Sequence, residues 1–91
     1  MNTKFKPSNE LTFQTVQADR MRLIRQLRDN TMTTLCFDLS HVDGCDSAGL
    51  ALLIETKRLC KQYNKIFIIE GMPKIVHALA EFCGLEAILT E

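Results

Sequence analysis

In the stretch DGCDSAGLALL, residues 43–53, turn-forming residues lead directly into a dense apolar run. The Asp-Gly pair that opens it favours a turn, and either Asp46 or Ser47 offers the side-chain oxygen that caps the first turn of a helix. The pattern predicts a helix from Ser47 to about Tyr63, entered from a strand through a short turn.

Strands and helices alternate outward from this stretch. The hydrophobic periodicity predicts strands over residues 3–6, 10–16, 34–40 and 65–70, and helices over residues 18–29, 47–63 and 73–83. The order β-β-α-β-α-β-α predicts an α/β fold, with a mixed, mostly parallel sheet of four to five strands covered by helices. We expect the first two strands to pair antiparallel and a further short strand to form near Ile88. Residues 1–91 are interpreted as one domain.

The apolar patterns also predict which residues form the core. Strand 34–40 is rich in apolar and β-favouring residues, which is typical of a strand buried on both faces, and strand 65–70 is predicted to be another such buried strand. Gly84 suits the left-handed residue that ends the last helix. The predicted core positions of the first helix are Met21, Ile24 and Leu27, and those of the last helix are Ile75, Val76, Leu79 and Cys83.

Charge and hydropathy exclude several classes of function. Eleven Lys and Arg balance eleven Asp and Glu, which argues against a broad nucleic-acid footprint and against an electrostatic membrane anchor. The longest strongly apolar run, residues 50–54, is far shorter than the roughly 20 residues that cross a bilayer. The first residues lack the apolar segment of a secretory signal. We therefore expect a cytoplasmic protein with no direct insertion into the membrane.

No pattern of catalytic or ligand-binding residues emerges. Asp38, Asp43 and Asp46 surround the central turn, but turns and helix caps favour Asp for backbone reasons alone. The turn lacks the glycine and lysine pattern that holds nucleotide phosphates, and Ser47 lacks the spacing of a nucleophile with its base. The four cysteines form no CxxC pair. We expect no enzymatic activity, no metal and no cofactor.

The central helix carries two apolar stripes. The first is the predicted core stripe, formed by Gly49, Leu52, Leu53, Thr56, Cys60 and Tyr63. The second points away from it and consists of Ser47, Leu50, Ala51, Ile54 and Arg58. A soluble monomer gains little by exposing such a stripe, so we favour a docking surface over burial beneath a neighbouring helix or the C-terminal tail.

The sequence resembles the STAS domain family, the fold of bacterial anti-sigma factor antagonists. The resemblance rests on Asp38-Leu39-Ser40 at a strand end and on Asp46-Ser47-Ala48-Gly49-Leu50 at the start of the following helix. It runs from about Leu35 to the C-terminus. It implies a non-enzymatic domain that binds another protein, with a partner-binding site formed by Asp46, Ser47, Leu50, Ala51, Ile54 and Arg58.

Two functions within this family compete. Antagonists switched by phosphorylation typically have two adjacent hydroxyl residues at the junction, of which a partner kinase modifies one, whereas this chain has Ser47 followed by Ala48. The apolar run and the Lys-rich helix look closer to MlaB, the STAS subunit of a bacterial phospholipid-transport ABC complex. That resemblance implies an ABC transporter ATPase subunit as partner, with the protein held peripherally at the inner membrane. The alternative implies an anti-sigma factor kinase as partner and phosphorylation of Ser47. Small-ligand sensing beside the central turn is a third hypothesis.

Overall fold

The computed structural model describes residues 1–90, except the side chain of Thr90, and confirms the α/β class. Glu91, the last residue of the predicted domain, lies outside the described residues. Within residues 1–90 the elements are β1 Asn2–Phe5, β2 Glu10–Leu11, α1 Val16–Leu27, β3 Thr34–Asp38, β4 Gly44–Cys45, α2 Ser47–Gln62, β5 Ile66–Glu70, α3 Lys74–Phe82 and α4 Glu86–Thr90.

The main sheet has the strand order β1-β3-β5, and both of its strand pairs are parallel. The chain moves in the same direction across the sheet at each crossover, first through α1 and then through α2. Right-handed crossovers that move in one direction place their helices on the same face of the sheet. The crossover helices therefore form a single layer against one face.

Burial along the strands shows the same one-sided arrangement. Phe5 and Phe37 are buried on the helical face with ring centroids 5.2 Å apart, and Phe67 packs edge-on against Phe37 at 6.3 Å. Ile66 and Ile68 alternate with these core positions on β5 and are exposed on the open face. The prediction that strand 65–70 is buried on both faces is wrong, because an apolar run does not show whether a second layer of helices exists.

A second, two-stranded sheet pairs β2 with β4 in parallel, through Glu10 with Gly44 and Leu11 with Cys45. The first two strands thus lie in different sheets, and the predicted antiparallel pair between them does not form. The strand predicted over residues 10–16 ends at Leu11, because the chain turns there into α1.

The first helix buries the predicted core residue Leu27, but the rest of its buried stripe differs from the one predicted. Leu23 and Leu27 are buried and spaced by four residues, and the third buried position of this stripe is the polar residue Asp19. Its carboxylate accepts hydrogen bonds from the Ser8 backbone N–H and hydroxyl, each at 3.0 Å. The predicted core residue Met21 is exposed. Sequence periodicity missed this face because a buried, fully bonded carboxylate looks like a surface residue.

The C-terminal helices correct two further expectations and confirm one. Val76 and Ala80 are the buried residues of α3, whereas the predicted core residues Ile75 and Cys83 are exposed. The predicted strand near Ile88 is instead the short helix α4. Gly84 adopts the predicted left-handed conformation, with φ of 72°. The next residue closes the helix end through a Leu85 N–H bond of 2.8 Å to the Ala80 carbonyl.

Candidate functional site

The site predicted from sequence lies where α2 begins, and Asp46 organises it. One oxygen of the Asp46 carboxylate accepts the Gly49 N–H at 3.0 Å, and the other accepts the Phe13 N–H at 3.1 Å. These two backbone donors, first that of Gly49, lower the pKa of Asp46 below its ordinary value of 3.8. Asp46 is therefore the N-cap of α2, and it also ties this helix to the segment before α1.

Gly49 fits this position for a steric reason. A Cβ atom added at Gly49 would lie 1.9 Å from the Leu11 carbonyl oxygen, far inside van der Waals contact. The first turn of α2 is thus pressed against the backbone of β2. The glycine of the motif fixes where the helix starts relative to the small sheet.

Ser47 is the first residue of α2, and it is exposed. Asp46 takes the capping position, so the hypothesis that Ser47 caps the helix is wrong. Within residues 1–90 the Ser47 hydroxyl makes no hydrogen bond. It is consequently available to solvent, to a binding partner or to a modifying enzyme.

Leu50 was predicted to lie on the exposed stripe, and this prediction is wrong: the residue is only 1% exposed. Ile54, on the same side of the helix, is half-buried and packs against the core. One turn further on, the Lys57 ammonium donates a hydrogen bond to the Ile88 carbonyl oxygen of α4. Leu89 of α4 is buried in the same core. Burial within this chain's own core, the alternative to a docking surface, is what the structure shows for Leu50.

The rest of the predicted stripe stays accessible on a narrower ridge of α2. Ser47, Ala51 and Arg58 are exposed, and Ile54 contributes its accessible part. Beside this ridge lies a shallow groove of about 380 Å³ between α1 and α2. We call it the α1–α2 groove, and it is lined by Val16, Gln17, Arg20, Ala48, Ala51, Leu52 and Glu55. Its floor consists of small or aliphatic side chains, and its polar residues lie at the rim.

Ion pairs hold the rim of the α1–α2 groove. The Glu55 carboxylate binds the Arg58 guanidinium through two bonds of 2.8 and 2.9 Å, and it binds Arg20 across the groove at 3.1 Å. The bonds from Arg58, followed by that from Arg20, lower the pKa of Glu55 to about 2. Glu55 is thus charged at physiological pH. Two arginines share one carboxylate, which leaves the rim with one excess positive charge.

Phe13 is a feature of the site that the sequence did not reveal. It was assigned to a half-buried strand, but it lies in a turn and is 71% exposed. Thr15 closes this turn, because its hydroxyl donates to the Glu10 carbonyl at 2.7 Å and accepts the Thr12 N–H at 3.0 Å. The two threonines were the available signal, since such hydroxyls compete with strand pairing for backbone groups.

Asp38 and His41, two other polar residues near the central turn, have backbone partners. Asp38 accepts the Ser40 N–H at 3.0 Å, and a ring nitrogen of His41 lies 2.6 Å from the Pro7 carbonyl oxygen. Burial raises the pKa of the Cys45 thiol to about 11, so that this thiol stays protonated. Among residues 1–90, no three His, Cys, Asp or Glu side chains converge as ligands for a metal ion.

Comparisons with known proteins agree with this architecture. The sequence model described as the STAS domain matches residues 2–90. A sulfate transporter family protein from Wolinella succinogenes has a similar crystal structure, with a TM-score of 0.76, 17% sequence identity, 97% of this chain covered and 70% of that chain covered. The murine anion transporter Slc26a9, solved in the inward-facing state, gives a TM-score of 0.76 at 18% identity. That match covers 88% of this chain and 13% of the transporter.

At these identities the structural matches show a shared fold. No curated protein matches the sequence. Each helix within residues 1–90 is too short or too polar to cross a bilayer.

Proposed function

The chain belongs to the STAS domain family, and from this premise we propose that it is a non-enzymatic subunit that binds the cytoplasmic ATPase of a phospholipid-transport ABC complex, as MlaB does. In this proposal it supports the assembly and activity of the ATPase. It acts on the cytoplasmic side, held at the inner membrane through the transporter.

The observation that carries this proposal is the accessible surface at the start of α2. Phe13, Ser47 and Ala51 are exposed there, beside the α1–α2 groove with its aliphatic floor. Exposed apolar side chains next to a preformed groove with a charged rim are typical of a surface that binds another protein. The small side chain of Ala51 lets a partner approach the helix closely.

The structural neighbours give separate support for a role beside a transporter. Both are named for transport, one as a sulfate transporter family protein and the other as an anion transporter. The present chain spans only 13% of the murine protein, so the likeness concerns one domain of that transporter. It favours a transporter-associated role for this chain over transcriptional control.

The docking surface of this proposal differs from the one expected from sequence. The docking surface still contains Ser47, Ala51 and Arg58. Asp46 caps the helix next to them, and Ile54 lies at the edge of the surface. Leu50 is excluded from the surface because it is buried, whereas Phe13 and the α1–α2 groove now belong to it. A substitution at Leu50 would test folding, whereas a substitution at Ala51 tests docking.

Affinity capture from the native host tests the proposal with a matched pair of variants. Ala51→Arg fills the α1–α2 groove with a side chain that suits a helix, and Ala18→Arg makes the same change on an exposed position of α1 outside the groove. We expect the wild type and Ala18→Arg to recover an ABC transporter ATPase, and Ala51→Arg to lose at least about tenfold in affinity. Equal recovery by both variants would move the interface elsewhere.

Purified components test the second part of the proposal. Adding the wild-type chain to the isolated ATPase should raise its rate of ATP hydrolysis, and the chain alone should hydrolyse no ATP. Hydrolysis by the chain alone would contradict its assignment as a non-enzymatic subunit. An unchanged ATPase rate would contradict a supporting role.

One observation favours a second candidate, an anti-sigma factor antagonist controlled by phosphorylation of Ser47. The Ser47 hydroxyl is exposed and unbonded within residues 1–90, as a kinase substrate requires. A phosphate would add a charge of about −1.5 to −2 directly beside the ionised Asp46 and on the docking ridge. Such a charge would repel an acidic partner surface, and it would be costly to bury against an apolar one.

Intact-mass measurement after incubation with host extract and ATP distinguishes the two candidates. A phosphate on the wild type that is absent from Ser47→Ala, together with capture of a kinase in place of an ATPase, would support the antagonist. An unmodified mass with capture of the ATPase would support the transporter subunit.

A further inference from the structure

Helix α3 presents a second apolar stripe that nothing within residues 1–90 covers. Phe82 is 90% exposed and Ile75 is 46% exposed, and Ala78 between them is also exposed. Together with the partly buried Leu79, these residues have the spacing i, i+3, i+4, i+7 of one helix face. Val76 and Ala80, on a different side of α3, supply its contact with the core.

Two opposite charges flank this stripe. Lys74 and Glu81 are exposed and seven residues apart, which places them on the same flank of α3 but about 10.5 Å apart along the helix axis. They are thus too distant to pair with each other inside one helix. Within residues 1–90 neither side chain takes part in an ion pair.

We propose that this stripe binds the same stripe of a second copy of the chain, with the two α3 helices antiparallel across a two-fold axis. An antiparallel two-fold pair brings the start of one helix beside the end of the other and keeps equal flanks on one side. Lys74 then lies opposite Glu81 of the second copy, and Ile75 lies beside Phe82 of the second copy. Ala78, near the middle, lets the two helices approach closely.

Charge complementarity selects the second copy and its orientation. In a parallel two-fold pair equal flanks lie on opposite sides of the contact, so Lys74 and Glu81 of one copy would not meet the charged flank of the other. The antiparallel arrangement instead forms the attractive contact between Lys74 and Glu81 twice, once on each side of the two-fold axis. Such rim charges orient a contact, whereas the buried apolar side chains supply most of its affinity.

The size of the contact predicts a weak dimer. A helix of nine residues is about 13.5 Å long, so this contact is smaller than the roughly 800 Å² per partner of a standard interface. The dimer should therefore form only at high protein concentration or where copies are brought close together. This surface is separate from the α1–α2 groove and is independent of the function proposed above.

Sedimentation velocity over a range of concentrations tests the proposal. We expect the wild type to shift from monomer to dimer as its concentration rises and Phe82→Glu to stay monomeric. Lys74→Glu and Glu81→Lys should each weaken association by about tenfold at low salt, because each places like charges together. The double variant Lys74→Glu/Glu81→Lys should restore association to near the wild-type value, because the exchanged charges are again complementary.

Two control measurements show whether a loss of association is specific to the stripe on α3. Phe13→Glu removes an exposed aromatic side chain beside the start of α2 and should leave association unchanged. Circular dichroism should show that Phe82→Glu keeps the native fold, as its exposure predicts. A monomeric wild type at all concentrations, or a double variant as weak as the single ones, would overturn the proposal. So would a Phe82→Glu variant with unchanged sedimentation that no longer captures the ATPase, since the stripe would then belong to that partner.

Discussion

Helices α2 and α3 each carry two apolar stripes, and the fold treats the second stripe of each helix in opposite ways. In α2 the second stripe lies partly inside the molecule, with Leu50 buried and Ile54 half-buried. In α3 the second stripe stays outside, with Phe82 almost fully exposed. An apolar stripe on a helix therefore predicts that other protein atoms pack against it. The neighbouring elements determine whether those atoms belong to the same chain.

The difference follows from the position of each helix in the chain. Helix α2 crosses from β3 to β5 and packs against α1 on one flank and against α3 and α4 on the other. Helix α3 follows the last strand of the sheet and is itself part of the flank of α2. The crossover helix α2 thus has helices on both flanks, whereas nothing within residues 1–90 covers the second stripe of α3. The following substitutions test this difference between the two helices.

The largest effect should come from Leu50→Asp. It places a carboxylate where a leucine is 1% exposed, without a partner for the charge. We expect a loss of about 4 kcal/mol or more in the free energy of unfolding, measured by chemical denaturation. The matched change Phe82→Asp should alter it by less than about 0.5 kcal/mol, because Phe82 lies in solvent. Similar losses of stability for both variants would show that the two stripes do not differ in burial.

Gly49→Ala should have the next largest effect, because it disturbs the close packing of the first turn of α2 against β2. The added Cβ would meet the Leu11 carbonyl oxygen at 1.9 Å, so helix and strand must separate. We expect a loss of about 3 kcal/mol in the free energy of unfolding. Gly44→Ala is the control, since its Cβ would meet only the flexible Glu10 side chain at 3.5 Å. A Gly49→Ala variant as stable as Gly44→Ala would contradict the close packing of α2 on β2.

Leu89→Ala tests whether α4 helps to cover α2. Leu89 is buried and Ile88, its neighbour in α4, is exposed. We expect Leu89→Ala to cost about 2 kcal/mol in the free energy of unfolding, at the low end for a buried leucine because this short helix can relax. Ile88→Ala should cost clearly less. Hydrogen exchange should also quicken in the second half of α2 for Leu89→Ala alone, and unchanged exchange there would argue against α4 as part of the cover.

The smallest effect concerns pH and the two helix starts. The N-cap of α2 is an ionised Asp46 with a lowered pKa, whereas the N-cap of α3 is Pro73, which has no side-chain bond. A lowered pKa in the folded state adds stability that is complete above the ordinary value of 3.8 and is lost as the pH falls through the lowered value. We expect the stability gap between wild type and Asp46→Asn to be constant from pH 7 to about pH 5 and to vanish at lower pH. A difference in stability that persists at low pH would mean that the Asp46 side chain stabilises the start of α2 even when it is uncharged.

Much of the fold and part of the site could be predicted from local pattern. The helix over Ser47–Gln62, the parallel central strand and the glycine end of α3 follow from caps, apolar runs and turn residues that act within a few positions. Ser47, Ala51 and Arg58 were placed correctly on the exposed side of α2. These features depend on the backbone near each residue, which the sequence specifies directly.

The errors have a common physical origin. Asp19 is buried because Ser8 bonds its carboxylate, Leu50 is buried because other parts of the chain pack around α2, and Phe13 is exposed because Thr12 and Thr15 form a turn. The first two of these involve contacts between residues distant in sequence. Hydrophobic periodicity reports the direction of a side chain on its own helix and carries no information about what lies beyond it.

Local sequence patterns were enough to predict the alternation of strands and helices and the start of α2 at Ser47. The packing of the elements was needed to show that the crossover helices form a single layer, that Leu50 belongs to the core, and that the accessible surface runs from Phe13 along the α1–α2 groove. The reason is that caps and turns are satisfied by neighbours in the chain, whereas burial depends on which elements the crossovers bring together.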